Sequence, residues 1–134
     1  MLAILSIFYV KMMVLEEIMK SLYFKKEAYF VDMFGKVKCN QTTLYNDRNN
    51  CTSKQHIEKW LAINDLLNVA SFLNQGWSPK WESDTLIYII IYKNGSFIPQ
   101  AVSAPCAMVY FPTEKLARQA IDILGDQLLK EIYL

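Results

Sequence analysis

The sequence predicts an α+β domain: N-terminal helices and a long central helix pack on a three-stranded antiparallel sheet, and a C-terminal helix closes the fold. Two patterns carry this prediction, apolar residues at helical spacing over residues 57–73 and a β-branched and aromatic run over residues 85–93. Between them, Gly76 suits the left-handed position after a helix, and Pro79 prevents the helix from resuming. The junction therefore separates a helix from a sheet.

The N-terminal part is predicted to be helical. A helix is expected from Ala3 or Lys11 to Tyr23, because apolar residues recur there at helical spacing. A second, short helix is expected over residues 25–34, ending at Gly35.

The extreme N-terminus is an uncharged apolar run over residues 1–10. It lacks the basic start and the small-residue cleavage site of a signal peptide, and it is too short to span a bilayer as a helix. Met12 and Met13 offer a second start, so residues 1–11 are expected to be a dispensable leader.

Residues 36–53 are predicted to form the one long polar loop, in which positive residues outnumber the single negative residue. Loops of this length are uncommon in compact domains and are often functional or disordered. Two interpretations stand: a solvated connector, or a contact surface for an acidic partner or RNA. The partner-binding residues expected in the loop are Lys36, Lys38, Leu44, Tyr45 and Arg48.

Three strands are predicted for the sheet. Residues 85–93 are apolar on both faces, which favours a central strand. Asn94–Gly95 predicts a tight turn, and residues 97–102 return antiparallel, with Pro99 favouring a sheet edge or a bulge. Residues 106–111 are predicted to be the third strand.

The closing helix is predicted to begin after Thr113, whose side chain can cap it, and Glu114, whose charge suits a helix start. Gly125 is expected to kink this helix or to divide it.

Two tryptophans, Trp77 and Trp81, flank Pro79 at the junction. In one interpretation both rings fold back and lock the corner between helix and strand. In the other they form an exposed aromatic clamp for a base or for a partner side chain. Both residues are therefore included among the expected partner contacts.

Three segments resemble a pattern in small phage and prophage proteins of Bacteroidetes-type bacteria: residues 73–81, which fit N-x-G-W-x-P-x-W, residues 88–92, and residues 109–117. The last segment departs from the family's F-x-[ST]-x-E-L-A, because Glu114 directly follows Thr113. The resemblance covers about residues 57–134. Since the family has no assigned activity, it implies a phage origin more than a chemistry.

The composition favours an interaction protein. A chain of 134 residues fits one domain, and 14 Lys and Arg against 13 Asp and Glu give no general attraction to a polyanion. Hydrophobic residues make up 53% and aromatic residues 13%, enough to leave apolar surface for a partner. Cys39, Cys51 and Cys106 cannot all pair with one another, so reduced thiols in a cytoplasm are expected.

No pattern of catalytic, cofactor-binding or metal-binding residues is recognisable. Cys39, Cys51 and His56 lack the close pairing of zinc ligands, and His56 is expected to be a surface or capping residue. The four glycines are never clustered, so no phosphate loop is predicted. We therefore expect no enzyme activity, no cofactor and no metal.

The functional expectation is a cytoplasmic, non-enzymatic phage or prophage accessory protein that binds a larger host or phage protein and does not bind a membrane. A nuclease or ribonucleoprotein is the expected partner. The protein is expected to inhibit it, in the way that an anti-CRISPR protein inhibits a defence nuclease. The alternatives are an RNA- or other nucleic-acid-binding module, which would use the polar loop with Trp77 and Trp81, and a virion component.

Overall fold

The computed structural model describes residues 14–23, 26–42, 49–82 and 84–134. The chain divides into two compact units, Met1–Ile57 and Glu58–Leu134. The described residues contain four helices and four strands. In chain order these are α1 (Leu15–Tyr23), β1 (Lys26–Val31), β2 (Val37–Thr42), α2 (Lys54–Asn74), β3 (Ile87–Lys93), β4 (Ser96–Val102), α3 (Glu114–Leu124) and α4 (Asp126–Tyr133).

The N-terminal unit is built on an antiparallel hairpin of β1 and β2, in which Val31 lies opposite Val37 and Lys26 opposite Thr42. On the other edge of β1, the Tyr29 N–H donates to the Cys51 carbonyl at 3.0 Å, and the Cys51 N–H donates back at 2.7 Å. This bridge holds the segment before α2 beside the hairpin. Among the residues of this unit whose burial the structure describes, five are buried: Tyr23, Ala28, Asn50, Cys51 and Ile57.

The short helix predicted over residues 25–34 is wrong, because Lys26–Val31 is strand β1. A short apolar run does not distinguish a helix from a strand by periodicity alone, and the aromatic and β-branched residues Tyr29, Phe30 and Val31 favour a strand. Gly35, predicted to end this helix, has a positive φ of 77° and lies in the turn of a hairpin.

The structure also differs from the polar loop predicted over residues 36–53, because Val37–Thr42 is strand β2. Residues 37–40 are exposed, so this strand needs few apolar residues, and its composition resembles that of a loop. Leu44, Tyr45 and Arg48 lie outside the described residues, as does the leader over residues 1–11.

The C-terminal unit contains the hairpin of β3 and β4, with Lys93 opposite Ser96 and Ile87 opposite Val102. Asn94 and Gly95 both have positive φ, 52° and 81°, which confirms the predicted turn. The core of this unit combines residues from α2, the hairpin, the segment before α3, and the last two helices. It comprises Ala62, Leu66, Ala70, Ile90, Phe97, Val109, Phe111, Ala117, Ala120, Leu129 and Ile132.

The α+β class is confirmed, but the three-stranded sheet is wrong: the described strands form two sheets of two strands each. Of the third strand predicted over residues 106–111, only Phe111 pairs, in a single antiparallel bridge to Tyr88. The N–H groups of Cys106 and Ala107 donate to the Tyr110 hydroxyl at 2.6 and 2.7 Å. In a continued ladder the Ala107 amide would bond to Tyr92, so its bond to the Tyr110 hydroxyl replaces one bond of that ladder.

The closing helix begins and divides as predicted. Thr113 is extended, and its Oγ1 accepts the Leu116 N–H at 3.1 Å, which caps α3. Gly125, at φ 82°, ends α3 by donating its N–H to the Ile121 carbonyl at 2.9 Å, and α4 begins directly after it. None of the described helices combines the length and apolar character that crossing a bilayer requires.

Candidate interaction site

The turn between β1 and β2, residues 32–36, is here called the hairpin tip. The Asp32 carboxylate oxygen Oδ1 accepts the N–H groups of Phe34 and Lys36, each at 2.9 Å. The Asp32 N–H donates to the Lys36 carbonyl at 2.8 Å, and the Gly35 N–H donates to the Asp32 carbonyl at 3.0 Å. Together with the positive φ of Gly35, these bonds fix the conformation of the turn.

The hairpin tip carries the two most exposed large apolar side chains of the described residues, Met33 at 90% and Phe34 at 79% exposed. The turn that exposes them is ordered by its own hydrogen bonds, so the exposure does not come from a frayed end. The two lysines Lys36 and Lys38 are exposed beside them. Phenylalanine and methionine are enriched in the buried centres of protein interfaces, whereas exposed lysines suit the polar rim.

Lys36 and Lys38, both predicted as contact residues, thus lie on the same hairpin as Met33 and Phe34. Met33 and Phe34 fall within the short helix that the sequence predicts over residues 25–34, so they were not predicted as contact residues. The signal that could have found them is Asp32 followed three residues later by Gly35, since Asp favours the first and Gly the fourth position of a type I turn.

The segment after α2, residues 75–81, is here called the tryptophan corner, and it begins with Gln75 and Gly76 at φ 46° and 83°. The Trp81 ring packs edge-on against Tyr110, with ring centroids 5.1 Å apart and planes at 83°. The Asn74 side-chain Nδ2 donates to the Tyr110 carbonyl at 2.7 Å. Trp81 therefore contacts the residue that organises the irregular segment before α3, which favours the structural interpretation for this ring.

Trp77 is half-buried, as Trp81 is, and its N–H donates to the Asn74 carbonyl at 2.9 Å. This bond belongs to the turn that ends α2. No described residue forms a ring contact with Trp77, so its role as a partner contact stays a prediction.

One cleft of about 590 Å³ lies between the first part of α2 and the junction of α3 with α4. Its apolar lining includes Leu61, Leu124 and Leu128. Four carboxylates also line it, those of Glu58, Asp65, Asp126 and Glu131. The Lys130 ammonium lies 2.9 Å from the Asp126 carboxylate, and this pairing raises the pKa of Lys130. A second cleft, of about 560 Å³, follows β3.

The described residues include no group of three or more His, Cys, Asp or Glu side chains placed to hold a metal ion. His56 is exposed in the first turn of α2, and its Nδ1 accepts the N–H of Thr52, which precedes the helix, at 3.1 Å. Cys39 and Cys106 are exposed, whereas Cys51 is buried, and burial raises the pKa of the Cys51 thiol.

We expect iodoacetamide at pH 8 to modify Cys39 and Cys106 in the native protein and to modify Cys51 only after denaturation. The thiolate is the reactive form, and both the burial of Cys51 and its raised pKa lower the accessible thiolate fraction. Mass spectrometry of native and denatured samples measures the modified sites. Rapid modification of Cys51 in the native state would contradict the buried position of the Tyr29–Cys51 bridge.

Comparisons of the chain with protein families, with curated proteins and with solved structures found no match. The phage resemblance of the tryptophan corner therefore stays a sequence-based expectation.

Proposed function

We propose that this protein is a non-enzymatic binding module that docks on a larger protein through the hairpin tip. In the phage setting that the sequence resemblance implies, the partner is a host or phage protein, and docking inhibits it as an anti-CRISPR protein inhibits a defence nuclease. The observation that carries the proposal is the display of Met33 and Phe34 on a turn fixed by its own hydrogen bonds.

The energetic basis is the burial of these two side chains in a partner's pocket. Fully burying a Phe or Met side chain contributes about 1.5–3 kcal/mol. Binding must also order the groups that make the contact, and the Asp32 hydrogen bonds have already ordered this turn. Met33 and Phe34 therefore have the exposure and the preorganisation of interface anchors.

Lys36 and Lys38 add a charge preference. Both are exposed, and the one carboxylate of the hairpin tip, Asp32, is engaged in the turn. Positive residues at the rim of an interface steer association toward an acidic surface and mainly raise the association rate. The expected partner surface is an apolar pocket with an acidic rim.

RNA is the alternative partner, because an exposed phenylalanine ring beside two lysines can also stack on a base. The near balance of 14 positive against 13 negative residues favours the protein partner, since binding of a polyanion depends on neutralising phosphates. Salt separates the two partners. RNA binding should fall steeply between about 50 and about 200 mM salt, whereas an interface centred on Phe34 should change little.

The test uses a double variant, Met33→Ser with Phe34→Ser, as bait beside the parent protein in nuclease-treated extracts of the native host. We expect a protein that the parent enriches and the variant does not. With that partner purified, the variant should bind at least about tenfold more weakly, which corresponds to ~1.4 kcal/mol. Its thermal midpoint should stay within a few degrees, because both side chains are exposed.

Phe72→Ser is the matched control, since Phe72 is 75% exposed on α2 and lies outside the hairpin tip. This variant should bind as the parent does. Equal binding by the parent, the double variant and Phe72→Ser would show that the hairpin tip is not part of the interface. Trp77 would then be the next candidate contact. Charge reversal at Lys36 and Lys38 should slow association with a protein partner, but abolish binding to RNA.

A further inference from the structure

The outer edge of β3 can be located from Pro99. Pro99 lies opposite Ile90 in the antiparallel pair, and proline has no N–H to exchange. The Ile90–Pro99 pair is therefore a non-hydrogen-bonded pair, and the pairs alternate along the ladder. Ile89 and Ile91 bond to β4, whereas the N–H and C=O groups of Ile90 and Tyr92 face away from it.

The bridge at Tyr88 supports this assignment. Tyr88 has the same parity as Ile90 and Tyr92, and its N–H and C=O both bond to Phe111, at 2.9 Å each, on the side away from β4. A continued ladder would pair Ile90 and Tyr92 in the same way. The structure gives their outward backbone groups no hydrogen-bond partner among the described residues. These groups are here called the β3 edge.

The second cleft runs along this edge. Four consecutive residues of β3, residues 89–92, line it, although their side chains alternate between the two faces of the sheet. Lining by consecutive residues is expected where a cleft follows the backbone edge of a strand. The irregular segment 106–108 forms the opposite wall, and Tyr133 and Leu134 also line the cleft.

The two ends of the β3 edge differ in exposure. Ile90 is 2% exposed beside the Tyr88–Phe111 bridge, whereas Tyr92 is 39% exposed at the open end. A buried backbone N–H or C=O group without a hydrogen-bond partner lowers the stability of a protein. A molecule that supplies the missing hydrogen bonds therefore gains binding free energy. The lining of the cleft includes two exposed apolar side chains, those of Met108 at 51% and Leu134 at 69% exposed.

We propose that the β3 edge binds an extended peptide segment of a partner protein, which adds as a strand beside β3 beyond the Tyr88–Phe111 bridge. The hydrogen-bond pattern selects this occupant, because an extended backbone offers alternating donors and acceptors in the matching spacing. Four residues of strand span about 13 Å, so the site takes a segment of four or five residues. Alternate side chains of that segment pack on Met108 and Leu134.

The cleft argues against a second copy of this chain as the occupant. Each copy has its own segment 106–108 opposite its β3 edge. Two such edges could not meet without displacing both segments, whereas a single extended segment would occupy only the cleft of about 560 Å³ along the edge. The site lies in the C-terminal unit and does not depend on the hairpin tip, so either proposal can fail without the other.

The probe is a capped hexapeptide of alternating valine and threonine, added to isotope-labelled protein and followed by NMR amide exchange. In the free protein, the Tyr92 amide should exchange faster than the Ile91 amide, which bonds to β4. At saturating peptide, exchange at Tyr92 should slow by about tenfold or more, and shift changes should concentrate on residues 89–92. The Phe34→Ser variant should respond as the parent does.

Two matched pairs isolate the backbone contribution. A peptide with every amide N-methylated keeps its side chains but loses its donors, and it should not bind. Tyr92→Pro removes the outward N–H without touching a bond to β4, and should abolish binding, whereas Tyr92→Val should retain it.

Equal binding of the methylated peptide, or no response at residues 89–92, would overturn the proposal. Protection of Tyr92 that rises with protein concentration would assign the edge to a second copy and also overturn it.

Discussion

Phe111→Ala is expected to lower the free energy of unfolding of the C-terminal unit by about 3–5 kcal/mol. Phe111 is fully buried in the core of that unit, and its backbone forms the bridge to Tyr88. Removing the ring leaves a cavity between the hairpin and the last helices. Urea titration followed by tryptophan fluorescence measures the loss, because Trp60, Trp77 and Trp81 all belong to this unit.

Phe72→Ala is the control for the same chemical change. Phe72 is 75% exposed, so its removal should alter the free energy of unfolding by no more than about 0.5 kcal/mol. Similar losses of unfolding free energy in the two variants would mean that the Phe111 ring is not packed in the core of the unit.

Leu66→Ala should cost about 2–5 kcal/mol, because Leu66 is fully buried on α2 within the same core. The next residue, Leu67, is 45% exposed, so Leu67→Ala tests the same side chain, on the same helix, facing another direction. We expect a much smaller loss for Leu67→Ala, measured by the same titration. A larger loss at Leu67 than at Leu66 would contradict the observed orientation of α2.

The features that the sequence predicts correctly depend on local chemistry. Asn94 and Gly95 tolerate the positive φ that a two-residue hairpin requires, and Thr113 supplies a side-chain acceptor at the start of α3. Gly125 divides the closing helices because it adopts a left-handed φ readily. Each of these conformations is determined by a few neighbouring residues, so the sequence alone predicts it.

The features that the sequence does not predict depend on competition between partners. Residues 106–111 have the composition of a strand, but the Tyr110 hydroxyl binds the Ala107 amide, which a continued ladder would pair with Tyr92. Lys26–Val31 could be helix or strand by its pattern, and pairing with β2 decides in favour of the strand. The misassigned helix also concealed the candidate site, since Met33 and Phe34 would belong to a helical face and not to a turn.

The exposure of Met33 has a consequence for redox conditions. A thioether that is 90% exposed is open to oxidants, and its sulfoxide is polar and chiral. If the hairpin tip docks in an apolar pocket, oxidation of Met33 by peroxide would replace an apolar contact with a polar one and weaken binding. Met33→Leu would retain the apolar side chain and remove this sensitivity. Peroxide and the methionine sulfoxide reductases of the cell would then set the fraction of the protein that is able to bind.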